Sequence, residues 1–521
     1  MPRLTIDGRA VDVPSGATIL EAARRLGIDI PALCYLDGCT PSTSCMACVV
    51  KVAGTNRLVP SCAARAEDGM QVESETDEVH EARRTAIELL LSDHPADCIG
   101  PCQTACPAHM DIPTMLRQLL AGDVGAAAAT ARASLVLPAT LGRICPAPCE
   151  KSCCRAYHDE ALAIRLSHRH AAETDLAGGA ATLPRCKPPN GKRVAIVGAG
   201  PAGLAAAWHL AQEGCTCTVF DDHEEAGGAL RHDLPADRLP RAVLDAEVTL
   251  VARMGMEFRL GVRIGRDVAL ADLTRGFNAV LVATGSTTPA DAEALGLEAV
   301  SHGIACDRKT LRTALPNVFA AGDAVHPHRV AVRSISKGAA AAASILQFLA
   351  GNPVTGPHRP FTTRLGVPGP DEMEPLLAGA SREGRIAPSQ GAGAGLTADE
   401  ARRDAARCLH CDCRKADVCK LRHYADRLGA SQHRYPGTRR RFEQDPGHPE
   451  IVYESAKCIS CGLCIEMATR AGELFGLTFL GRGFGVRVAV PLGRSLAEGL
   501  RKSWKECVAA CPTGALAFRR S

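Results

Sequence analysis

The chain carries 25 cysteines, and their arrangement constrains its fold more than any other feature of the sequence. They fall in tight groups: residues 93–113, DHPADCIGPCQTACPAHMDIP, hold three cysteines within nine residues, after a histidine. An odd number of clustered cysteines fits a disulfide framework poorly and fits metal or iron-sulfur ligation well. Zinc is the structural alternative, since paired cysteines build tetrahedral thiolate sites. The uneven spacings, and a dinucleotide motif between the groups, favour iron-sulfur clusters.

Charge and hydropathy exclude several functions. Lysine and arginine total 60 against 57 for aspartate and glutamate, so no basic field exists to attract a nucleic acid or an anionic membrane. The opening residues, MPRLTIDGRAVDVPSG, lack the basic and apolar regions of a secretory signal. The longest apolar stretch, residues 339–350, is too short to cross a bilayer. We therefore expect a soluble, cytoplasmic protein without a nucleic-acid partner or direct membrane insertion.

The first 78 residues predict a small domain that holds one cluster. Residues 3–13, RLTIDGRAVDV, alternate around an Asp7-Gly8 pair, which predicts a β-hairpin, and residues 17–28 have helical spacing. The following loop offers the four thiolates that a [2Fe-2S] cluster needs: Cys34, Cys45, Cys48 and Cys62. Plant-type spacing would instead require a cysteine at Ser42. The longer spacing resembles the N-terminal β-grasp [2Fe-2S] domain of the large iron-sulfur subunit of respiratory complex I, which NAD-linked hydrogenases and formate dehydrogenases share. Cys39 is left as a small buried side chain.

The next segment combines two resemblances. ELLLSDHPADC resembles the HPxDC segment that begins a His-plus-three-Cys cluster site in the complex I family. CQTACPAHMDIP and LGRICPAPCEKSC then resemble the helical domain of the glutamate synthase small subunit and of dihydropyrimidine dehydrogenase, which holds two [4Fe-4S] clusters. The resemblance implies one cluster on Cys98, Cys102 and Cys153, and a second on Cys106, Cys145 and Cys149.

Each of these two clusters lacks a fourth ligand. His94 is the candidate for the first, because the family's first cysteine has no counterpart here. The alternative is that His94 only caps the preceding helix or packs on it. For the second cluster the family uses a glutamine or glutamate after the last cysteine. His168 lies near that place, and Cys154 offers another thiol.

Residues 192–222, KRVAIVGAGPAGLAAAWHLAQEGCTCTVFDD, have the form of a dinucleotide-binding βαβ unit. A buried β-run leads into Gly198-x-Gly200-x-x-Gly203, with Pro201 and Ala202 between the last two glycines, and a second β-run ends at the acidic Asp221. The glycines permit a tight turn and close approach of a pyrophosphate, the helix N-terminus favours its charge, and the acidic residue can bind the ribose.

Downstream motifs indicate that the dinucleotide is FAD. EEAGGALRHDLP, VLVATGS and PNVFAAGDAV resemble successive elements of glutamate-synthase-type flavoproteins. The resemblance implies further FAD contacts from Gly227, Gly228, Arg231, Gly322 and Asp323. Full-length family members insert an NADPH-binding domain between the last two motifs, but here Gly285 and Asp323 are only 38 positions apart. That is too few for a second nucleotide domain, so we expect an NAD-binding flavoprotein partner subunit to handle the nicotinamide.

Two more cysteine groups follow a Gly/Pro-rich run. After a helix capped by Thr397, the spacing predicts a [4Fe-4S] site, with zinc as the rival, on Cys408, Cys411, Cys413 and Cys419. KCISCGLCIEM and CVAACPTGAL resemble a bacterial two-cluster ferredoxin domain with one complete ligand set: Cys458, Cys461, Cys464 and Cys511. Ala468, Arg501 and Trp504 replace ligands of the second set, which leaves Cys507 as a spectator thiol.

Composition shifts divide this multidomain α+β and α/β protein into six segments. They are a [2Fe-2S] β-grasp domain (1–78), a helical [4Fe-4S] domain (79–185), a Rossmann-like FAD domain (186–352), a linker (353–396), a CxxCxC [4Fe-4S] segment (397–450) and a ferredoxin-like [4Fe-4S] domain (451–521).

The predicted cofactors are FAD, one [2Fe-2S] cluster and about four [4Fe-4S] clusters. A flavin exchanges one or two electrons and each cluster passes one. We therefore predict an electron-transfer subunit, without acid-base catalytic residues, that works with other redox subunits in an NAD-linked complex of the hydrogenase, formate dehydrogenase or bifurcating transhydrogenase type. One alternative is a self-sufficient NAD(P)H-dependent reductase of the glutamate synthase small-subunit kind. The other is a zinc-binding scaffold with a vestigial flavin fold.

Overall fold

The chain folds into two units, and each is assembled from stretches that are distant in sequence. The computed structural model describes residues 1–55, 57–179, 181–391 and 393–519. Unit 1 comprises Met1–Gly100, Pro360–Gly379 and His410–Ser521, and unit 2 comprises Pro101–Arg359 and Ala380–Leu409. The described residues form helices, one mixed sheet, one parallel sheet and three antiparallel two-stranded sheets. The predicted combination of α and β structure in several domains is therefore confirmed.

The first hundred residues build a five-stranded mixed sheet with order β2-β1-β5-β3-β4, in which only β1 and β5 are parallel. Asp7 and Gly8, both with positive φ, form the turn of the predicted hairpin. Thr18 caps α1 through a capping box with Glu21. The elements are β1 (Arg3–Ile6), β2 (Arg9–Asp12), α1 (Ile19–Arg25), β3 (Val49–Val52), β4 (Arg57–Pro60), β5 (Gln71–Glu73) and α2 (Asp77–Ser92).

Unit 2 begins with short helices that start and stop at cysteine motifs. Asp111 and Asp123 accept hydrogen bonds from backbone N–H groups in the first turns of α4 and α5. The helices are α3 (Pro101–Ala105), α4 (Ile112–Leu120), α5 (Val124–Leu135), α6 (Pro138–Ile144), α7 (Pro148–Lys151) and α8 (Ile164–Ala177), with a 3-10 turn at Cys154–Tyr157.

A parallel five-stranded sheet with order β12-β9-β6-β7-β8 forms the second part of unit 2. Its central strands are buried on both faces, as a sheet covered by helices on both sides requires. The elements are β6 (Arg193–Val197), α9 (Pro201–Gln212), β7 (Thr216–Phe220), α10 (Ala229–His232), α11 (Arg241–Ala252), β8 (Glu257–Arg259), α12 (Leu270–Gly276), β9 (Ala279–Val282), α13 (Pro289–Ala294), β10 (Ala299–Val300), β11 (Gly303–Ile304), β12 (Val318–Ala320) and α14 (Ala331–Leu349), with a 3-10 turn at Gly322–Ala324.

The remaining elements are divided between the two units, because α16 belongs to unit 2 and the others to unit 1. Thr397 caps α16 through a capping box with Glu400, as predicted. The elements are α15 (Pro370–Leu377), α16 (Ala398–Ala405), α17 (Lys420–Arg427), β13 (Ile451–Tyr453), α18 (Leu463–Arg470), β14 (Thr478–Leu480), β15 (Arg487–Ala489), α19 (Leu496–Gly499), α20 (Trp504–Ala510) and β16 (Leu516–Phe518), with 3-10 turns at Ala416–Val418, Ser455–Lys457, Gly483–Gly485 and Pro491–Gly493. Antiparallel pairing of β13 with β16 closes the last domain.

Across the described ranges, no individual helix has both the length and the apolar character needed to cross a membrane. The bent pair α5 and α6, which meet at 77°, reaches that threshold only when its two helices are counted together.

Candidate iron-sulfur and dinucleotide sites

Four thiols of unit 1 meet around the loop that follows α1. Cys34, Cys45, Cys48 and Cys62 are all buried, and the sulfurs of Cys34 and Cys45 are 3.3 Å apart. Hydrogen bonds with Cys45 and Cys62 lower the pKa of the Cys34 thiol, and a hydrogen bond with Cys62 lowers the pKa of Cys48 to about 7. The same hydrogen bonds raise the pKa of Cys45 and Cys62, so the four thiols form one hydrogen-bonded group. Since thiolates are the ligands of iron-sulfur clusters, this donor set fits a [2Fe-2S] cluster.

A second group of four thiols lies in the last domain. Cys458, Cys461 and Cys464 come from the turn before α18 and its first residues, Cys511 follows α20, and together they line a small cavity. Burial, followed by the neighbouring cysteines, raises the pKa of Cys461 to about 12. The predicted spectator Cys507 is buried, and its thiol donates to the Cys464 carbonyl at 3.4 Å. The four-thiol set fits one [4Fe-4S] cluster, whose binding would release the thiol protons.

These two sites of unit 1 are in direct contact. The Ser42 hydroxyl, in the loop of the first site, donates to the Cys461 carbonyl of the second at 3.0 Å. Cys34, Cys45 and Cys461 also belong to one buried apolar cluster. The peptide around one thiol group therefore packs directly on the peptide around the other.

Cys98 and His94 also lie in unit 1, just beyond α2, whereas Cys102 and Cys153 belong to unit 2. The Cys98 sulfur accepts a hydrogen bond from the Thr363 N–H at 3.4 Å. His94 is buried, and burial, followed by the Lys457 and Arg440 cations, lowers its pKa to about 3. The imidazole is therefore neutral, which is the form that binds metals.

The helical part of unit 2 brings together two sets of thiols. Burial raises the pKa of Cys149, and the nearby Cys106 and Cys145 raise it further. The same holds for Cys102, where burial is followed by Cys408 and Cys153. The structure thus places Cys106, Cys145 and Cys149 near one another, and Cys102 near Cys153 and Cys408.

The two candidates for a fourth ligand in unit 2 are both buried. His168 lies on α8, and its Nδ1 is 3.0 Å from the Pro138 carbonyl oxygen at the start of α6. Burial lowers the pKa of His168 to about 4, so this imidazole is neutral as well. Cys154 begins the 3-10 turn that follows Cys153.

The backbone at these motifs adopts an unusual conformation. Eleven non-glycine residues of the described chain have positive φ, which costs free energy outside glycine. Four of them lie between the two cysteines of a pair: Met46, Ala147, His410 and Ser460. Such strain concentrates where the backbone must wrap around a bound group, so its position agrees with ligand loops.

The turn between β6 and α9 is shaped as a cradle for a phosphate group. A Cβ atom on Gly198 would lie 2.2 Å from the Ala283 carbonyl oxygen, and one on Gly203 would lie 1.9 Å from the Gly198 oxygen, so these two glycines are required by packing. Gly200 differs, because it has φ −80° and a Cβ there would meet nothing closer than 3.8 Å. No side chain caps the N-terminus of α9. A helix N-terminus that no side chain caps, behind a glycine turn, fits a bound pyrophosphate.

Polar residues around this turn make specific contacts. Asp221 Oδ2 accepts the Ala199 N–H at 2.6 Å, and Oδ1 accepts the His223 N–H at 3.0 Å. The Arg231 guanidinium pairs with Asp245 and Glu225, so protein carboxylates already hold it. Asp323 accepts hydrogen bonds from the N–H groups of His328 and Arg329.

Two residues that support the candidate sites, Gly338 and Glu247, were not identified from the sequence. A Cβ on Gly338 of α14 would lie 2.0 Å from the Ala202 carbonyl oxygen, so this glycine lets α14 pack against the first turn of α9. Glu247 of α11 is buried and accepts the N–H groups of Ala139 and Thr140 at 2.7 and 2.8 Å. It thereby caps α6, the helix that ends at Cys145. Neither position carries a local signal, because each depends on a neighbour more than a hundred residues away.

Glu247 gives the protein a pH-dependent stability. Burial raises its pKa from the ordinary 4.5 to about 7. As pH rises, the unfolded chain therefore loses this proton before the folded chain does. The free energy of unfolding falls by up to ~3 kcal/mol between pH 4.5 and about 7, and is constant above that range. We expect thermal unfolding midpoints measured from pH 5 to 8 to show this fall in the wild type. The matched variant Glu247→Gln should lack this component, and parallel pH profiles for the two proteins would contradict the assignment.

Three sequence families match successive parts of the chain. They are a 2Fe-2S iron-sulfur cluster binding domain over residues 2–77, dihydropyrimidine dehydrogenase domain II with a 4Fe-4S cluster over residues 71–179, and an NAD(P)-binding Rossmann-like domain over residues 196–253. The matches follow the N-terminal thiol site, the helical thiol sites and the glycine turn. The predicted combination of iron-sulfur domains with a Rossmann-like nucleotide domain is confirmed.

Three individual proteins are similar in sequence to parts of this chain. The chain is 37% identical over 189 residues to the NADPH-Fe(3+) oxidoreductase subunit beta of Geobacter sulfurreducens, covering 36% of this chain and 28% of that protein. It is 37% identical over 207 residues to the NADP(+)-dependent formate dehydrogenase subunit beta of Moorella thermoacetica, covering 36% and 29%. It is 36% identical over 214 residues to the glutamate synthase (NADPH) small chain of Escherichia coli, covering 40% and 45%. The predicted resemblance to glutamate synthase small subunits is confirmed, although each match spans less than half of the relative.

Proposed function

We propose that this chain is an FAD- and iron-sulfur-containing electron-transfer subunit of an NAD-linked complex. It passes electrons between a flavin and iron-sulfur clusters. The observation that carries the proposal is the contact between the Cys34 site and the Cys461 site through Ser42. Cysteine ligands that only stabilised separate domains would not need to share one buried cluster of side chains.

The residues supply binding, burial and position. The glycine turn and α9 would hold FAD, which supplies two-electron chemistry when bound. The proposed FAD contacts are Gly198, Gly200, Pro201, Ala202, Gly203, Asp221, Gly227, Gly228, Arg231, Gly322 and Asp323. The thiols and His94 would hold one [2Fe-2S] and about four [4Fe-4S] clusters. The finer domain assignment keeps the six predicted segments, with a β-grasp fold at 1–78 and a ferredoxin-like fold at 451–521.

The nicotinamide is proposed to bind on a partner subunit. Residues 286–322 form only α13, the short β10–β11 pair, β12 and the start of a 3-10 turn. This stretch contains no βαβ unit that could bind a second nucleotide. Two of the relatives above are named as beta subunits of multi-subunit enzymes. Other redox subunits, including an NAD-binding flavoprotein, are therefore the proposed partners in the cytoplasm.

Anaerobic purification tests the proposal against both alternatives. We expect about 18 iron atoms with matching acid-labile sulfide and one FAD per chain. Zinc without iron would support the scaffold instead. Stopped-flow mixing with NADH or NADPH should leave the flavin of the isolated chain oxidised. Rapid bleaching by either nucleotide, without a partner, would establish the self-sufficient reductase.

A further inference from the structure

The cysteine run from Cys408 to Cys419 reads as one site in the sequence, but the division into folded units falls inside it. Unit 2 ends at Leu409 and unit 1 resumes at His410, so Cys408 belongs to a different unit from Cys413 and Cys419. The same happens earlier in the chain: unit 1 ends its first stretch at Gly100, between Cys98 and Cys102. Both boundaries therefore divide a cysteine motif.

On the unit 2 side, a buried ion network fixes the residue before Cys408. Arg407 is fully buried and donates to Asp159 at 3.1 Å and to the Glu160 carbonyl oxygen at 2.7 Å. Arg155 in turn donates to the Arg407 carbonyl oxygen at 3.2 Å. Since Arg155 lies two residues after Cys153, this network holds Cys408 beside the Cys153 segment.

The sulfurs of this group are correspondingly close. After burial, the main cause, Cys408 and Cys153 both raise the pKa of Cys102. Cys102, Cys153 and Cys408 also pack in the same apolar core of unit 2. Three thiols from three separate stretches of the chain thus converge on one place.

On the unit 1 side, the backbone of Cys413 pairs with that of Cys98. Asp97 and Asp412 form a parallel β-bridge, and the Cys413 N–H donates to the Cys98 carbonyl oxygen at 3.4 Å. After burial, the main cause, Cys413 and Cys98 raise the pKa of Cys419. The residues at positions 98, 413 and 419 therefore lie together, although the first two are 315 positions apart in the sequence.

The buried Lys457 is an electrostatic neighbour of both His94 and Cys413. The Lys457 ammonium is buried and forms an ion pair with Glu454 at 2.6 Å. Burial lowers the pKa of His94, and this ammonium lowers it further, whereas burial raises the pKa of Cys413 and the ammonium opposes that rise. One buried cation thus lies close to the imidazole and to the Cys413 thiol.

We infer that the four-cysteine run is shared between two clusters: Cys408 joins Cys102 and Cys153 in unit 2, while Cys413 and Cys419 join Cys98 and His94 in unit 1. This grouping rests on the proposed function, and it differs from the grouping predicted by spacing. It completes a set of three thiolates and one imidazole in unit 1. Cys411 is left unassigned.

Iron content distinguishes this grouping from a single site on the run. Cys408→Ala and Cys413→Ala should each lose about four iron atoms, and the double variant about eight, because the two thiols serve different clusters. A double variant that loses only the iron of either single variant would overturn the inference. Cys186→Ala, an exposed thiol outside all motifs, is the control and should keep the wild-type content. A wild-type chain without iron would instead refute the proposed function itself.

EPR spectra of the cysteine variants show which cysteines bind the same cluster. The signal missing in Cys413→Ala should also be missing in Cys98→Ala and present in Cys408→Ala, and the signal missing in Cys408→Ala should be missing in Cys153→Ala. If the signal missing in Cys98→Ala were instead missing in Cys408→Ala and present in Cys413→Ala, the grouping would be wrong. Retention of FAD shows that each variant has folded.

Pulsed EPR tests the His94 assignment on the wild-type protein, which avoids any folding defect. One cluster should show nitrogen hyperfine coupling from an imidazole, and His94→Cys should keep its iron, lose that coupling and shift to a lower midpoint potential. The exposed His433→Ala is the matched control. If no cluster shows imidazole coupling in the wild type, His94 is not a ligand.

Discussion

Gly200→Val is expected to yield a folded chain that retains its iron and has lost its FAD. Backbone conformation does not demand a glycine at this position, since φ is −80°. Packing does not demand one either, since a Cβ would make only an ordinary contact with the Gly228 Cα at 3.8 Å. A valine side chain would nevertheless occupy the space at the N-terminus of α9 where the pyrophosphate is proposed to lie. Loss of two or more phosphate hydrogen bonds, at about 1.5–3 kcal/mol each for a charged acceptor, should weaken FAD binding by roughly 100-fold or more.

The measurement is the ratio of released flavin to iron in anaerobically purified protein, together with the thermal unfolding midpoint. Gly276→Ala is the matched control, because it lies in the same part of unit 2 with open space around its Cβ. It should keep both flavin and iron. A Gly200→Val protein with full flavin occupancy would show that the dinucleotide does not use this turn.

Cys461→Ala should remove about four iron atoms and slow electron transfer to the [2Fe-2S] cluster. Cys461 is a proposed ligand of the last-domain cluster, and its carbonyl accepts a hydrogen bond from Ser42 in the loop of the first site. Because the Cys34 site packs directly on this one, we expect electrons that enter by photoreduction of the flavin to reach the [2Fe-2S] cluster through it. In the variant the [2Fe-2S] EPR signal should therefore appear much more slowly after the flash.

Cys507→Ala is the control for this experiment. Its thiol is buried in the same domain and directed at the Cys464 carbonyl, but it is not among the residues that line the thiol cavity. It should keep the iron content and the rate of [2Fe-2S] reduction. An unchanged rate in Cys461→Ala would place the electron route elsewhere, and a loss of iron in Cys507→Ala would make Cys507 a ligand.

Much of the local structure could be predicted because its causes lie within a few residues. The Asp7-Gly8 turn, the capping box at Thr397 and the glycine turn after β6 all follow from short-range geometry, and the structure confirms each. The cysteine loops that are candidates for cluster binding could also be predicted, because the spacing of three or four cysteines is visible within a short segment. The domain classes at residues 2–77 and 71–179 agree with that analysis.

Contacts between distant segments were not accessible in the same way. Glu247 caps a helix more than a hundred residues earlier, and Gly338 is required by the carbonyl of Ala202. No periodicity or spacing records such pairs, since each depends on how helices pack after the chain has folded. The resemblance placed Arg231 at the flavin, and the structure adds the carboxylates of Asp245 and Glu225 that hold its guanidinium.

The amino-acid sequence by itself determined which residues can bind clusters and a dinucleotide, because thiols, glycines and a helix start are properties of single short segments. Only the tertiary structure decided which thiols stand together. The chain passes from one unit to the other within its cysteine motifs, so thiols that are neighbours in sequence belong to different units. Within unit 1, residues 315 positions apart share a β-bridge. The proposed ligand grouping therefore follows from long-range backbone pairing and side-chain packing within each unit, which the spacing of cysteines in the sequence does not contain.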